Sequence, residues 1–298
     1  MVMLAVVIAG AATAAPRLDP YPDFKSRYVQ PRNVTVWVPD GYSERGARFP
    51  VIYMPDGQNL FDSSQAFGGE SWGVGDAMTR RATHGQPVAI VVGVWNTPLR
   101  YREYAPQKLY RLLPDNLRAR IGASYEGDPL SDDYLRFLVT ELKPFIDRHY
   151  RTRPGRRDTS AMGSSMGGLI SLYAMAEYPR VFGQAACLSI HWPLVGVLGR
   201  DSVGPADVVP TAAALRQYLA HSGLRPGRNR LYYDRGDQTL DALYPPYTTA
   251  IGALMPGLGW HTGRDWVSRV FPGAEHSEKS WRERLDVPLD FLLGAAAR

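Results

Sequence analysis

A single cysteine, Cys187, stands among the 298 residues, so no disulfide can close within the chain whichever compartment it occupies. It sits in the apolar run Gln184-Ala185-Ala186-Cys187-Leu188-Ser189-Ile190 and reads as a small buried hydrophobe of a strand. Histidine, cysteine and carboxylates nowhere recur at metal-ligand spacing, so no metal is expected. Concentrated charge is missing too. The formal net charge is +5 and the pI about 9.3, yet the arginines are scattered (Arg80-Arg81, Arg111, Arg118, Arg120, Arg151, Arg153, Arg156-Arg157). Without a basic stripe, nucleic acid is not an expected partner, while anionic small molecules stay open. No apolar run reaches the about 20 residues that a membrane span needs, so stable membrane insertion is not expected either.

The nearest approach to such a run is the uncharged stretch 1–16, rich in Ala, Val, Ile and Leu and closing on Ala12-Thr13-Ala14-Ala15, a small-residue pattern suited to signal peptidase. Residues 1–15 are read as a signal peptide, which puts the protein in the periplasm or outside the cell. The positive n-region is missing, and a short apolar element packed on the body, with a cytoplasmic location, is the alternative. No internal repeat or low-complexity linker follows, so residues 16–298 read as one domain.

The chain is 45% hydrophobic, enough for a sizeable core. Residues 33–39 alternate polar and apolar, as a strand with one wet face near a sheet edge does. Residues 49–54 and 88–94 are continuous apolar runs, the pattern of parallel strands covered on both faces. Helices are expected over 70–82, 134–150, 211–221, 240–255 and 280–293, with further strands at 184–190, 230–234 and 265–271. The alternation describes an α/β fold with a mostly parallel central sheet and helices on both faces. Residues 96–133, rich in Tyr, Arg and Pro, are the least regular part and would lie over the carboxyl edge of that sheet.

At 158–170 a buried strand runs into Gly163-Ser164-Ser165-Met166-Gly167 and then directly into the apolar helix Leu169-Ile170-Ser171-Leu172. This is the pattern of a nucleophile elbow, in which flanking glycines allow close packing and the strand delivers a serine, here Ser165, onto a tight exposed bend. A serine needs a base in reach and a carboxylate to fix that base's tautomer. Of the six histidines, His276 follows the last strand and precedes the last helix, where this arrangement carries its base. His84, His149, His221 and His261 read as solvated or capping residues. His191, with Trp192 beside it, could line the pocket but arrives too early in the chain to be the base. The tetrahedral intermediate also needs two N–H donors, and the backbone of Met166 and of Gln58, beside Gly57 in the loop after the first central strand, are the candidates.

Taken together, Asp56-Gly57-Gln58-Asn59-Leu60-Phe61-Asp62, Arg100 with Glu103-Tyr104-Ala105-Pro106, the Ser165 elbow, Thr239-Leu240-Asp241 and Pro272-Gly273-Ala274-Glu275-His276 with Trp281 resemble the esterase family of α/β-hydrolases that groups enterochelin esterase-like, esterase D, feruloyl and acetyl-xylan esterases. The resemblance runs over nearly the whole chain from about Arg32. It implies the α/β-hydrolase fold and a serine carboxylester hydrolase without cofactor, with Ser165 as nucleophile and His276 as base. Spacing alone leaves two acids, Asp237 and Asp241; the resemblance favours Asp241, with Thr239 as a helix cap before it. Family membership does not choose among acyl-sugar, aryl and siderophore-type esters. Trp72, His191 and Trp192 are candidate pocket residues, and Trp95 and Tyr101 could offer stacking surfaces, although core packing explains Trp95 as well. Acyl transfer to an alcohol through the same acyl-enzyme, and a non-catalytic binding protein of the same fold, are the competing readings. Oligomeric state is not legible.

Overall fold

The computed structural model describes residues 15–194 and 204–294, so the expected signal peptide falls, but for Ala15, outside the described residues. Eight strands form one sheet: β1 (Arg17–Phe24), β2 (Arg32–Val38), β3 (Val51–Pro55), β4 (Ile90–Val94), β5 (Thr159–Ser164), β6 (Gln184–Leu188), β7 (Arg230–Arg235) and β8 (Trp266–Val270). Their order is β1-β2-β4-β3-β5-β6-β7-β8. The β1–β2 and β2–β4 pairings are antiparallel and all others parallel.

The continuous apolar runs do what their composition implies. All residues of β3, β4, β5 and β6 are buried, and their side chains alternate between two cores. Val51, Tyr53, Ile90 and Val92 face one core, while Ile52, Met54 and Val91 face the other. The first is closed by α5 (Ser131–Phe137), α6 (Lys143–His149) and α7 (Met166–Glu177), among others; the second is closed by α1 (Val74–Thr83) and the C-terminal helix (Asp286–Leu293).

Four elements depart from expectation. Strand β1 takes the sheet edge and leaves β2 one place in; its Pro20 and Pro22 mask a strand pattern, yet proline is tolerated on an edge that needs no N–H on one side. Residues 96–133 are ordered into three short helices, α2 (Arg100–Tyr104), α3 (Gln107–Arg111) and α4 (Asp115–Ser124). The helix expected over 134–150 begins at Ser131 and passes through a π-helical turn, Leu138–Leu142. The closing helix is two, Glu278–Glu283 and Asp286–Leu293, broken where the Arg284 side chain turns inward. Among the described residues no helix is long and apolar enough to cross a membrane.

Candidate active site

The elbow forms because nothing larger than glycine fits around it. A Cβ on Gly163 would lie 2.7 Å from the Gly167 carbonyl carbon and 2.8 Å from Pro55 Cγ, and one on Gly167 would lie 3.1 Å from the same Cγ. Ser165 takes φ 53° and ψ −122°. Such a conformation costs a non-glycine residue on the order of 1–3 kcal/mol and persists only where the surroundings impose it. They do so through the backbone. The Ser165 N–H donates to the Leu188 carbonyl at the end of β6 (2.9 Å), and the Ser165 carbonyl accepts from Gly168 (3.0 Å), Leu169 (3.2 Å) and His191 (3.2 Å).

His276 lies on the loop after β8. Its Nδ1 bonds Asp241 Oδ1 at 2.7 Å, and its ring stands edge-on to Tyr244 (5.8 Å between centroids) and Trp281 (5.1 Å). Its backbone N–H donates to Thr239 Oγ1 at 2.9 Å. Thr239 is therefore not the helix cap expected of it: Gln238 stands at the cap position, and the threonine hydroxyl holds the histidine loop instead.

Asp241 is completely buried on the 3-10 turn Thr239–Leu243. Its second oxygen accepts from Ser189 Oγ (2.6 Å) and the Gly236 N–H (2.6 Å). Burial pushes this carboxyl up, but the hydrogen bond and charge of His276 and the bonds from Ser189 and Gly236 outweigh it and hold it below the ordinary carboxylate range. Asp237 is half-buried, and its carboxylate accepts from Gly273 N–H (2.8 Å) and Gln238 Nε2 (2.8 Å) rather than from the imidazole. The structure thus brings Asp241, not Asp237, to His276.

With Nδ1 bonded to Asp241, Nε2 is the ring nitrogen that this bond leaves out. Among the described residues His276 bonds Thr239 and Asp241, and no hydrogen bond joins it to Ser165. Catalytic hydrogen bonds often tighten only once substrate is bound.

The Gln58 loop is pinned from several sides. Asp56 sits in the left-handed region (φ 58°, ψ 43°), where its carboxylate takes two bonds from Arg100 (2.7 Å each) and one from Asn96 (2.6 Å), while its N–H donates to the Tyr104 phenol oxygen (3.1 Å). Gly57 lets the loop lie directly on β4, since a Cβ there would be 2.5 Å from the Gly93 carbonyl carbon. Asn59 Nδ2 reaches Glu278 at 3.3 Å and links this loop to the one carrying His276. Among the described residues, neither the Gln58 nor the Met166 N–H finds a backbone acceptor outside its own element.

A model of the family described as "Putative esterase" matches residues 26–206. The chain belongs to this esterase family. Over 154 residues it is 28% identical to the ferri-bacillibactin esterase BesA of Bacillus subtilis (strain 168), covering 49% of this chain and 50% of that protein. An uncharacterized protein of the same organism, YbbA, is 25% identical over 158 residues, 53% of this chain and 56% of YbbA. The chain thus spans about half the length of the curated relatives it matches. Among solved structures, a ferulic acid esterase shares the fold with a TM-score of 0.65 at 19% identity, covering 93% of this chain and 97% of the other. The enterobactin esterase FES from Shigella flexneri does so with a TM-score of 0.62 at 20% identity, over 93% of this chain and 59% of that one.

In this family member the expected pocket residues fare unevenly. Trp72 is a core residue, 3% exposed, packed against Trp281 behind His276, and so does not line an opening. Trp192 is 2% exposed and packed edge-on to Tyr233, also in the core. Both are large apolar rings beside the site, and sequence position alone does not reveal which way a ring turns. His191 is buried and bonds Tyr244 through Nδ1 at 2.8 Å. Trp95 is half-buried, with its Nε1 donating to Thr35. Tyr101 is exposed and stacked on Tyr125, 5.2 Å between ring centroids. His84, His149 and His221 each bond through Nδ1 to the carbonyl four residues earlier, and His261 contacts Arg264 and Asp265, all away from Ser165.

Sequence reasoning missed a buried set behind the acid. Ser189 Oγ, besides donating to Asp241, accepts from Trp281 Nε1 (3.0 Å) and Arg284 Nη2 (2.8 Å), and Arg284 pairs with Asp234 (3.1 Å). It also missed Tyr244, whose only sequence signal is its place three residues after Asp241, one 3-10 turn away.

Proposed function

We propose that the protein is a serine carboxylester hydrolase working through an acyl-enzyme on Ser165. His276 Nε2 takes the proton from Ser165 Oγ as that oxygen attacks the ester carbonyl, and the carbonyl π pair moves onto oxygen. The resulting oxyanion is received by the N–H groups of Gln58 and Met166, the latter at the positive end of α7. Collapse expels the alcohol, which takes the proton from His276. Water, deprotonated by the same imidazole, then attacks the acyl carbon, and the acid is released as Ser165 regains its proton. Asp241 holds the imidazole with Nε2 facing the serine.

The observation that carries this reading is the pairing of a positive-φ serine at a strand-to-helix turn with a part-buried 2.7 Å His276–Asp241 bond at the carboxyl edge of the same sheet. For the substrate we propose an ester carrying an aryl group, of the hydroxycinnamoyl or siderophore kind. The exposed Tyr101 ring, stacked on Tyr125 and covered by the Arg100 guanidinium (5.6 Å from the ring centroid), offers an aromatic platform beside the oxyanion loop. The names of the relatives, a ferri-bacillibactin esterase and a ferulic acid esterase, are in keeping with that choice.

The test is Ser165→Ala against Ser164→Ala on a panel of aryl and alkyl esters. Ser165→Ala is expected to fold normally and lose several orders of magnitude in turnover, as loss of a triad member does elsewhere, while Ser164→Ala stays active. Near-native turnover in Ser165→Ala would remove the serine mechanism. A panel turned over without preference for aryl over alkyl acyl groups would remove the substrate assignment alone.

A further inference from the structure

Ser189 follows β6 in a backbone conformation that serine seldom adopts. Its φ is 41°, on the left-handed side that glycine takes freely and a residue with a Cβ does not. The residue is completely buried, and its N–H donates to Asp234 Oδ1 at 3.0 Å. The turn brings a hydroxyl to the acid. Ser189 Oγ lies 2.6 Å from Asp241 Oδ2, 3.0 Å from Trp281 Nε1 and 2.8 Å from Arg284 Nη2. The residue before it serves the nucleophile, since the Leu188 carbonyl accepts from the Ser165 N–H at 2.9 Å. Two consecutive residues at the end of β6 thus grip the serine turn and the acid together.

A hydroxyl has one proton and can turn it toward any acceptor in reach. Here the neighbours decide. An indole N–H and a guanidinium donate and never accept, so Trp281 and Arg284 take up the lone pairs of Oγ, and the Asp241 carboxylate is the partner left to receive the proton. No histidine tautomer enters into that direction. Asp241 Oδ2 is then filled twice, by Ser189 Oγ and by the Gly236 N–H at 2.6 Å, while Oδ1 meets His276 Nδ1 at 2.7 Å. The two donors on Oδ2 come from the ends of different strands, β6 and β7, and together they leave the carboxylate little freedom to rotate.

We propose that Ser189 is a positioning residue of the ester hydrolysis: its hydroxyl, directed by Trp281 and Arg284, fixes the Asp241 carboxylate so that Oδ1 stays on the imidazole of His276. The inference rests on the serine mechanism and deepens it. No bond to Ser189 is made or broken at any step. When His276 takes the proton from Ser165, positive charge appears on the imidazole and is met by a carboxylate already in place, so no reorganisation is needed at that moment. Loss of the Ser189 hydroxyl removes one of the two donors on Oδ2. The cost falls on the step that charges His276 and not on binding of the ester, because Ser189 has no exposed surface for a substrate to touch.

Two substitutions remove the hydroxyl and differ in what they do to the backbone. Ser189→Ala keeps a Cβ at φ 41°, whereas Ser189→Gly relieves it, so the glycine variant should have the higher Tm. Both are expected to lower kcat for p-nitrophenyl acetate, counted per serine titrated by a fluorophosphonate, roughly ten- to hundredfold with KM within about twofold, the effect of losing a hydrogen bond to a charged group. Equal losses of rate at unequal Tm would support positioning, since a merely structural role makes rate follow stability. A glycine variant that regained the wild-type kcat along with its Tm would reduce Ser189 to a folding support and overturn the proposal. Wild-type kcat per titrated serine in both variants, with Ser165→Ala inert, would overturn it too and leave the triad standing. If neither variant yields titratable enzyme, Ser189→Cys takes their place: its thiol is a weak donor, so kcat per titrated serine should fall several-fold, and full activity would overturn the role. An active Ser165→Ala would instead remove the serine mechanism beneath it.

Discussion

Asp237 and Asp241 are four residues apart, carry the same charge and differ in everything that matters to an imidazole. Asp241 is buried, bonds His276 at 2.7 Å and accepts from Ser189 and Gly236, whereas Asp237 is half-buried and accepts from the Gly273 N–H. Asp241→Asn keeps the shape but can hold the wrong tautomer, and is expected to lower kcat by up to about 10⁴. Asp237→Asn should stay within about threefold of wild type, because the side chain bonds Gly273 and Gln238 and makes no contact with the imidazole. Steady-state kinetics on one aryl ester decide between them, and a large loss confined to Asp237→Asn would reverse the assignment. At this scale Ser165 and His276 were legible in the sequence, because each stands in a local pattern tied to strand and helix boundaries. Asp241 was legible only through resemblance, since spacing left Asp237 equally placed. Ser189, Arg284 and Tyr244 were not legible at all: Ser189 meets Arg284 across 95 positions, and such a contact leaves no local pattern.

The loop after β3 shows how an element can be placed by what is missing from one residue. Gly57 lies on the backbone of β4, where a Cβ would come within 2.5 Å of the Gly93 carbonyl carbon and 2.7 Å of the Val94 nitrogen, and neither is a side chain that could swing away. Gly57→Ala must therefore lift the loop and the Gln58 N–H with it. Overpacking of this kind costs about 1–3 kcal/mol, read as a lower Tm. Displacing a catalytic group by about 1 Å can cost on the order of a hundredfold in rate. The expected result is a folded protein whose kcat has fallen far more than its stability; parallel small losses in both would mean that the loop is not where the oxyanion is received. Elements whose residues repeat at a strand or helix period, such as β3, β4 and α7, were legible from the chain alone. Strand β1 was hidden by Pro20 and Pro22, and the break at Arg284 by a continuous apolar pattern on either side, since a side chain turning inward to pair with Asp234 changes the helix axis without changing the period.

Across the whole molecule, Asp241 is tied to three separate parts of the fold through one buried charge pair. Arg284, between the last two helices, reaches Asp234 on β7 and Ser189 after β6; Ser189 passes the contact to Asp241, and Tyr232 also donates to Asp234 (2.7 Å). Both side chains of the pair are almost completely enclosed, at 4% and 0% exposure. Removing one partner of such a pair leaves an uncompensated buried charge, so Arg284→Met is expected to lose about 3–5 kcal/mol of unfolding free energy near neutral pH. The pH dependence separates charge from packing. Burial pushes the Asp234 carboxyl above its ordinary range even with Arg284, Tyr232 and Ser189 opposing it. A carboxyl raised in the folded state binds a proton more tightly there than in the unfolded chain, so its contribution to stability grows as pH falls through the folded value. Loss of Arg284 raises that value further, and the deficit of Arg284→Met against wild type should therefore shrink between about pH 7 and about pH 5. Asp241 runs in the opposite sense: its carboxyl is held below the ordinary range, so its contribution is lost only as pH falls below that range, outside this window. Urea unfolding of both proteins at the two pH values measures the difference. A deficit that is the same at both would mean that Arg284 acts through its packing over Phe271, 5.1 Å from the ring centroid, and not through its charge.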